Sequence, residues 1–260
     1  YFSPCGYVAP AYYDDKEDGF LKSFTAGFLT TCGLTAVGSP CVDEGEELPL
    51  HGTIGNTPRD RLWWEETDSE IIIHAEIADR RIFSRKLLLR RTIICCKEEN
   101  RITISDTVEN QGDTDSTVML LYHMNMGYPL LSEHAVVKIN SDTVIPRNVH
   151  AEKDIETWNR MLPPTPGFEE QCYYHRFSGA ASASIYNPQI AKKIEITFDS
   201  GKLWNLTEWK MMGVHDYVLG LEPGNCTPDG RSAMRKSGKL HILKPGEHTE
   251  FSVCICLTSC

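Results

Sequence analysis

Polar and apolar residues alternate with a period of two over most of the chain, and a helical period is nearly absent. The alternation and the β-branched runs predict strands over residues 28–37, 70–78, 87–97, 101–109, 118–126, 135–139, 143–145, 173–177, 183–186, 192–198, 203–210, 216–221, 239–243 and 249–257. Glu98-Glu99-Asn100 reads as a hairpin turn, Gly201-Lys202 as a second turn, and Pro245-Gly246 as the turn joining the last two strands. Residues 38–47 and 146–170 read as loops, the second with one helical turn near 155–160. Residues 1–27 start irregularly, with Pro4, Gly6 and Pro10 as punctuation and Tyr12-Tyr13 before an acidic stretch at 14–18. The class predicted is all-β, a large antiparallel sandwich or a barrel, with residues 1–260 as one domain.

One stretch carries more than packing. In LLYHMNMGYPLL, residues 120–131, the period places Leu120, Tyr122, Met124 and Met126 on one face. Leu121, His123 and Asn125 take the other face. A group that titrates near neutrality, next to a fixed amide on a rigid strand, suits general acid or base work. The plainer alternative is a satisfied core histidine.

Composition narrows the partners. With 260 residues the chain is long enough for one large core. A formal net charge of −10 and the lack of a basic block argue against nucleic acid or an anionic membrane. No apolar run reaches the ~18 residues of a membrane span, and no signal-peptide pattern is seen, so a cytoplasmic location is expected. The 10 cysteines include no CxxC pair. They read as small apolar filler and free thiols in a reducing compartment, not as a disulfide framework or zinc site.

Two further loci place a polar group beside a glycine or proline. His51 precedes Gly52, with Gly55 and Pro58 close behind, a turn that lets backbone approach a ligand. Glu222 ends the apolar run VLGLE before Pro223-Gly224-Asn225; desolvation there raises a carboxyl toward neutrality and makes it a better base. Gly220, on the same face, leaves room for a ligand above the sheet. Trp209 suits stacking on the apolar face of a sugar ring, and Lys210 suits its oxygens. Arg59 and Arg61 are placed to reach an anionic group, and Tyr128 and His215 are weaker candidates. The plainer alternatives are a core tryptophan, a solvated loop acid and surface ion pairs.

HGTIGNTP, YHMNMGYPLL and WKMMGVHDYVLGLEPGN, in this order and spacing, resemble the aldose 1-epimerase (galactose mutarotase-like) superfamily. Within it the chain is most similar to the bacterial branch called DUF4432, over most of residues 20–257. The resemblance implies a sandwich of two large, twisted antiparallel sheets with a sugar site on a concave face. It implies His51 as a sugar-binding residue, His123 as general acid and Glu222 as general base. Two departures stand out. Members of this branch tend to begin with additional N-terminal strands, so some strands of the family are expected to be missing here. Galactose mutarotases proper have HGF and an aromatic-rich stretch after the second histidine, where this chain has His51-Gly52-Thr53 and His123-Met124-Asn125. Substrate identity therefore does not transfer.

The chemistry implied is anomer exchange, in which a base takes the proton of the anomeric hydroxyl while an acid protonates the ring oxygen. It needs no cofactor, and Asn125, Trp209 and Lys210 would position the sugar. The expected partner is a small sugar, with a sugar acid or sugar phosphate as an option opened by Arg59, Arg61 and Lys210. A homodimer through an exposed sheet edge is a further expectation. Two alternatives stay open: a metal-dependent sugar isomerase or lyase using two histidines and one glutamate, and a non-catalytic carbohydrate-binding protein.

Overall fold

The computed structural model describes residues 1, 3, 14 and 19–259. Cys5, Cys260 and the punctuation read at residues 4–13 lie outside the described residues. The strands are β1 (Leu29–Leu34), β2 (Cys41–Asp43), β3 (Glu46–Leu48), β4 (Arg61–Glu66), β5 (Glu70–Arg80), β6 (Lys86–Cys96), β7 (Arg101–Asn110), β8 (Ser116–Met126), β9 (Val136–Ile139) and β10 (Thr143–Pro146). They continue with β11 (Gln171–Arg176), β12 (Ala181–Asn187), β13 (Lys192–Phe198), β14 (Asn205–Met212), β15 (Tyr217–Gly224), β16 (His241–Leu243) and β17 (His248–Ser259). Among the described residues three short α-helices accompany them, α1 (Gly19–Ser23), α2 (Val149–Glu152) and α3 (Arg231–Lys236), with 3-10 turns at Ile54–Asn56 and Ile155–Thr157.

Two large antiparallel sheets result, beside the two-stranded β2-β3 sheet. One has the order β1-β8-β15-β14-β11-β10, with β16 also pairing β8; the other runs β4-β5-β6-β7-β17-β13-β12-β9. The expected all-β antiparallel sandwich is what the chain forms. One core fills the space between the sheets, with Leu120, Tyr122 and Met124 from β8 against Leu89, Ile104 and Val253 from the other sheet. Tyr122 ties the layers together: its hydroxyl donates to Asp106 at 2.7 Å, and Arg91 holds the same carboxylate at 2.6 Å and donates to Thr31 at 2.8 Å.

The two sheets differ on their outer faces. Along β17 burial alternates, which means one face is in water. Along β8 nearly every residue is buried, so its outer face is covered as well. The cover includes a second apolar cluster of Cys32, Val37, Met119, Leu121, Cys226 and Met234. Met234 belongs to α3, which Arg231 and Arg235 lock to Asp43 of β2 at 2.7 and 2.9 Å. Burial of Leu121 predicts this cover, because an apolar residue on the polar-reading face of a strand needs a second layer.

Several expectations are corrected. Residues 38–47 hold the β2–β3 hairpin, not a plain loop. Arg61–Glu66 forms an edge strand that the pattern missed, since all six residues are exposed and carry no burial alternation. β16 and β17, read as partners across Pro245-Gly246, join different sheets: β16 pairs β8 and β17 pairs β7 and β13. The eight described cysteines are free. No helix among the described residues is long and apolar enough to cross a membrane.

Candidate active site

The covered outer face of the first sheet collects the polar residues. Gly220 opposes Asn125 and Gly224 opposes Leu121 between β15 and β8, which sets Glu222 beside His123. On the other side Glu222 opposes Thr207 and Gly220 opposes Trp209. Trp209 in turn opposes Cys172, and Thr207 opposes Tyr174. Facing residues across a ladder share a face. His123, Glu222, Trp209, Cys172 and Tyr174 therefore form one patch, drawn from four strands.

His123 and Glu222 are its centre. Nδ1 of His123 lies 3.2 Å from Oε1 of Glu222, and both side chains are almost fully buried. Neither atom makes a hydrogen bond among the described residues, and the buried Oδ1 of Asn125 has no partner there either. Buried polar atoms are nearly always paired, so three unpaired ones at one point mark a place meant for something else. Asn125 is fixed by its Nδ2, which donates to the His123 carbonyl at 3.0 Å. Burial pushes His123 down to about 3, helped by the neighbouring His51. Burial and the Glu170 carboxylate hold Glu222 well above the usual carboxylate range, against the pull of Arg147. Both shifts favour the uncharged forms of the two side chains.

Aromatic rings enclose the pair. The Trp209 ring lies edge-on to His123 at 5.4 Å, with its Nε1 donating to Glu170 at 2.7 Å. Phe24 lies 5.2 Å from His123, and His51 stands at 5.4 Å. Phe20 of α1 stacks on Phe24 at 4.9 Å and covers His51 at 4.8 Å. His51 sits at φ +59°, in the left-handed region, followed by Gly52 at +70°. A Cβ on Gly52 would lie 2.3 Å from the Gly33 carbonyl oxygen. The glycine turn thus serves close approach to β1, not to a ligand. The Gly38 N–H donates to Nδ1 of His51 at 3.3 Å, which leaves the ring proton on Nε2. Burial, reinforced by the charge of Arg147, lowers His51 to about 4, so its ring is neutral too.

His51, His123, Asn125, Trp209 and Glu222 come together as the sequence suggested. Lys210 and Arg59 do not. Successive strand residues point to opposite faces, so Lys210 cannot share a ligand with Trp209. It is buried in the sandwich core, donating to the carbonyls of Trp158 at 3.1 Å and Thr157 at 3.4 Å. Arg59 is exposed beside the edge strand β4 of the other sheet, and Arg61 lies 3.7 Å from Glu76 there. Tyr128 and His215 are exposed as well. The space above Gly220 is taken by the site's own carboxyl: a Cβ there would lie 2.1 Å from Oε1 of Glu222. Sequence reasoning missed Phe20, Phe24, Arg147 and Cys172. The only signal for Cys172 was its place next to a predicted strand. Among the described residues no group of three His, Cys, Asp or Glu side chains is arranged to hold a metal ion.

The double antiparallel sandwich matches the galactose mutarotase-like fold. The chain belongs to the DUF4432 family, a domain of unknown function, whose model matches residues 1–257. Its structure is similar to that of a "putative aldose 1-epimerase" from Klebsiella pneumoniae, with a TM-score of 0.93 and 27% identity over 98% of this chain and 70% of that one. It also resembles the Slr1438 protein of Synechocystis (TM-score 0.71, 15% identity, 95% of this chain and 84% of that one). A galactose mutarotase-like protein from Clostridium acetobutylicum matches at TM-score 0.64 and 13% identity, over 94% of this chain and 83% of that one. At those last two identities the likeness is one of fold. No curated protein matches the chain.

Proposed function

We propose that the protein is an aldose 1-epimerase-like enzyme that interconverts sugar anomers by acid–base catalysis on His123 and Glu222. The observation that carries this reading is the 3.2 Å pair whose facing atoms are buried and unbonded. Anomer exchange needs one donor and one acceptor on neighbouring oxygens, and one proton shared by two groups supplies both. A sugar hydroxyl that donates to Glu222 favours its ionised form and moves the proton to His123. Glu222 then takes the proton of the anomeric hydroxyl as His123 protonates the ring oxygen. The bond from the anomeric carbon to the ring oxygen breaks, the aldehyde rotates, and the reverse transfers close the ring on its other face. Acid–base help of this kind contributes ~10²–10⁴-fold. The Nε2 proton of neutral His51 is a donor for a sugar oxygen, and Trp209 offers an apolar wall.

The test is NMR saturation transfer between the anomers of a panel of aldoses and ketoses. Exchange that is lost in His123→Ala and Glu222→Gln supports the proposal. Binding without exchange in the wild type overturns it in favour of a carbohydrate-binding protein.

A further inference from the structure

Arg147 brings a cation to the site. Arg147 follows β10, and its N–H donates to the Cys172 carbonyl at 3.0 Å, which sets it alongside β11. Its Nε donates to Oδ1 of Asp229 at 3.2 Å, and Tyr174 donates to the same oxygen at 2.7 Å. Its Nη2 donates to Ser39 Oγ at 2.9 Å and to the Pro228 carbonyl at 3.3 Å. The remaining nitrogen, Nη1, has only Sγ of Cys172 at 4.0 Å among the described residues. Burial pushes that thiol up to about 12, so it is a neutral S–H and a weak acceptor. A guanidinium has five N–H donors; here the protein engages those on Nε and Nη2 and leaves the Nη1 edge beside Cys172, on the patch that carries Trp209 and Glu222.

The arginine is also rigid with respect to His51. Ser39 and Pro228 lie in two loops pressed together at Gly38, where a Cβ would lie 1.9 Å from the Pro228 carbonyl oxygen. The same Gly38 donates to His51. One frame therefore fixes the Nη1 edge and the His51 ring. Electrostatics restricts what this edge can receive. Asp229 pairs with Arg147 and also interacts with Arg176, which lies 5.9 Å from the Tyr174 ring, and Glu170 adds a second negative charge next to Trp209, so two carboxylates offset the two cations. No surplus positive charge is left for a phosphate or carboxylate, and Lys210, Arg59 and Arg61 lie elsewhere.

We propose that Arg147 binds the sugar through Nη1, donating to an uncharged oxygen, and that the Arg147–Asp229 pair makes the site selective for neutral sugars over sugar acids and sugar phosphates. This rests on the mutarotase reading for its substrate but not for its binding geometry. The experiment measures exchange for a hexose, its uronic acid and its 6-phosphate in the wild type, Arg147→Gln, Arg147→Lys and Asp229→Asn. Loss of a charged donor costs on the order of 10–100-fold. Arg147→Gln should raise KM for the hexose by that factor with kcat within a few-fold, and Arg147→Lys should recover part of it. Asp229→Asn, which keeps the shape but frees the charge, should shift the ratio of kcat/KM toward the anionic sugars by about tenfold. A wild-type preference for an anionic sugar, or an unchanged KM in Arg147→Gln, overturns the proposal. If the wild type exchanges no sugar, the mutarotase reading fails, and titration of the same sugars by saturation-transfer-difference NMR then decides Arg147 on affinity alone. Absence of sugar binding would overturn this proposal too.

Discussion

The sheet that carries the site holds two histidine–glutamate pairs, one on each face, and they could hardly be less alike. On the inner face Nε2 of His175 lies 3.3 Å from Oε2 of Glu208, in a hydrogen bond. The other ring nitrogen meets Ser141 at 2.9 Å, and the Trp158 ring closes the space at 4.8 Å. On the outer face His123 and Glu222 are as close, but their facing atoms are unbonded. Both pairs are buried, and burial raises both glutamates. Around Glu208, however, His175 and Lys210 oppose that rise, whereas around Glu222 the Glu170 carboxylate adds to it and the charge of Arg147 opposes it. Residue type and separation therefore do not make a site. What distinguishes the outer pair is where the unused bonding capacity lies: its two facing atoms are both unpaired beneath a cover outside both sheets, whereas on the inner face the facing atoms are bonded and only Oε1 of Glu208 and the hydroxyl of Tyr173 opposite it lack a partner among the described residues.

The comparison can be broken most sharply by mutation. His123→Ala and Glu222→Gln should each lower anomer exchange by ~10²–10⁴-fold with little loss of stability. His175→Ala should do the reverse, leaving buried partners unpaired at a cost of ~1–3 kcal/mol in denaturant unfolding while exchange per folded molecule stays near wild type. Equal effects on activity from both histidines would abolish the distinction. Next in size is Gly220→Ala. The added methyl would displace the Glu222 carboxyl, and a misplacement of about 1 Å costs on the order of 10² in rate. Unchanged exchange in that variant would show that the carboxyl position is not critical.

The pH profile sharpens the same contrast. His51, lowered to about 4, and His123, lowered to about 3, stay neutral until the pH falls to those values, below the ordinary histidine range. The acid limb of kcat/KM should therefore lie near pH 4 or lower. An acid limb at the ordinary histidine value would show that the rings are solvated in the working enzyme. The alkaline limb follows from Glu222, whose raised pKa means that the shared proton is lost only above the usual carboxylate range. The smallest effect is expected of Lys210→Met: ~0.5–1.5 kcal/mol of stability from the lost bonds to Thr157 and Trp158, with KM unchanged. A raised KM would return Lys210 to the sugar.

Much of this was legible along single strands. Alternation in residues 120–126 assigned His123 and Asn125 to one face and Tyr122 and Met124 to the core, as they are. The same rule separates Trp209 from Lys210, and their joint assignment to one sugar neglected it. What no strand reveals alone is which strands lie side by side. Glu208 and Glu222 each sit in a buried strand of the same sheet; only the β8-β15-β14-β11 order shows that one faces the core and the other His123. Arg147 was hidden for the same reason, in a proline-rich stretch whose path is set by contacts with loops more than fifty residues away in sequence. The β4 edge escaped because its residues are exposed on both faces, and burial is what writes the pattern.

The floor and the roof of the site have different origins. His123 and Glu222 stand on strands whose inner faces are packed into the sandwich, with Tyr122 hydrogen-bonded to the opposite sheet. Phe20 and Phe24 reach the site from α1 and the residue after it, ahead of the first strand. The candidate acid–base pair thus stands on packed strands, and the phenylalanine contacts come from a segment outside both sheets. Under the proposed anomer exchange, such a division lets the range of accepted sugars be altered, by selection or by an engineer, by changing a few residues before β1 while the acid–base pair is left as it is.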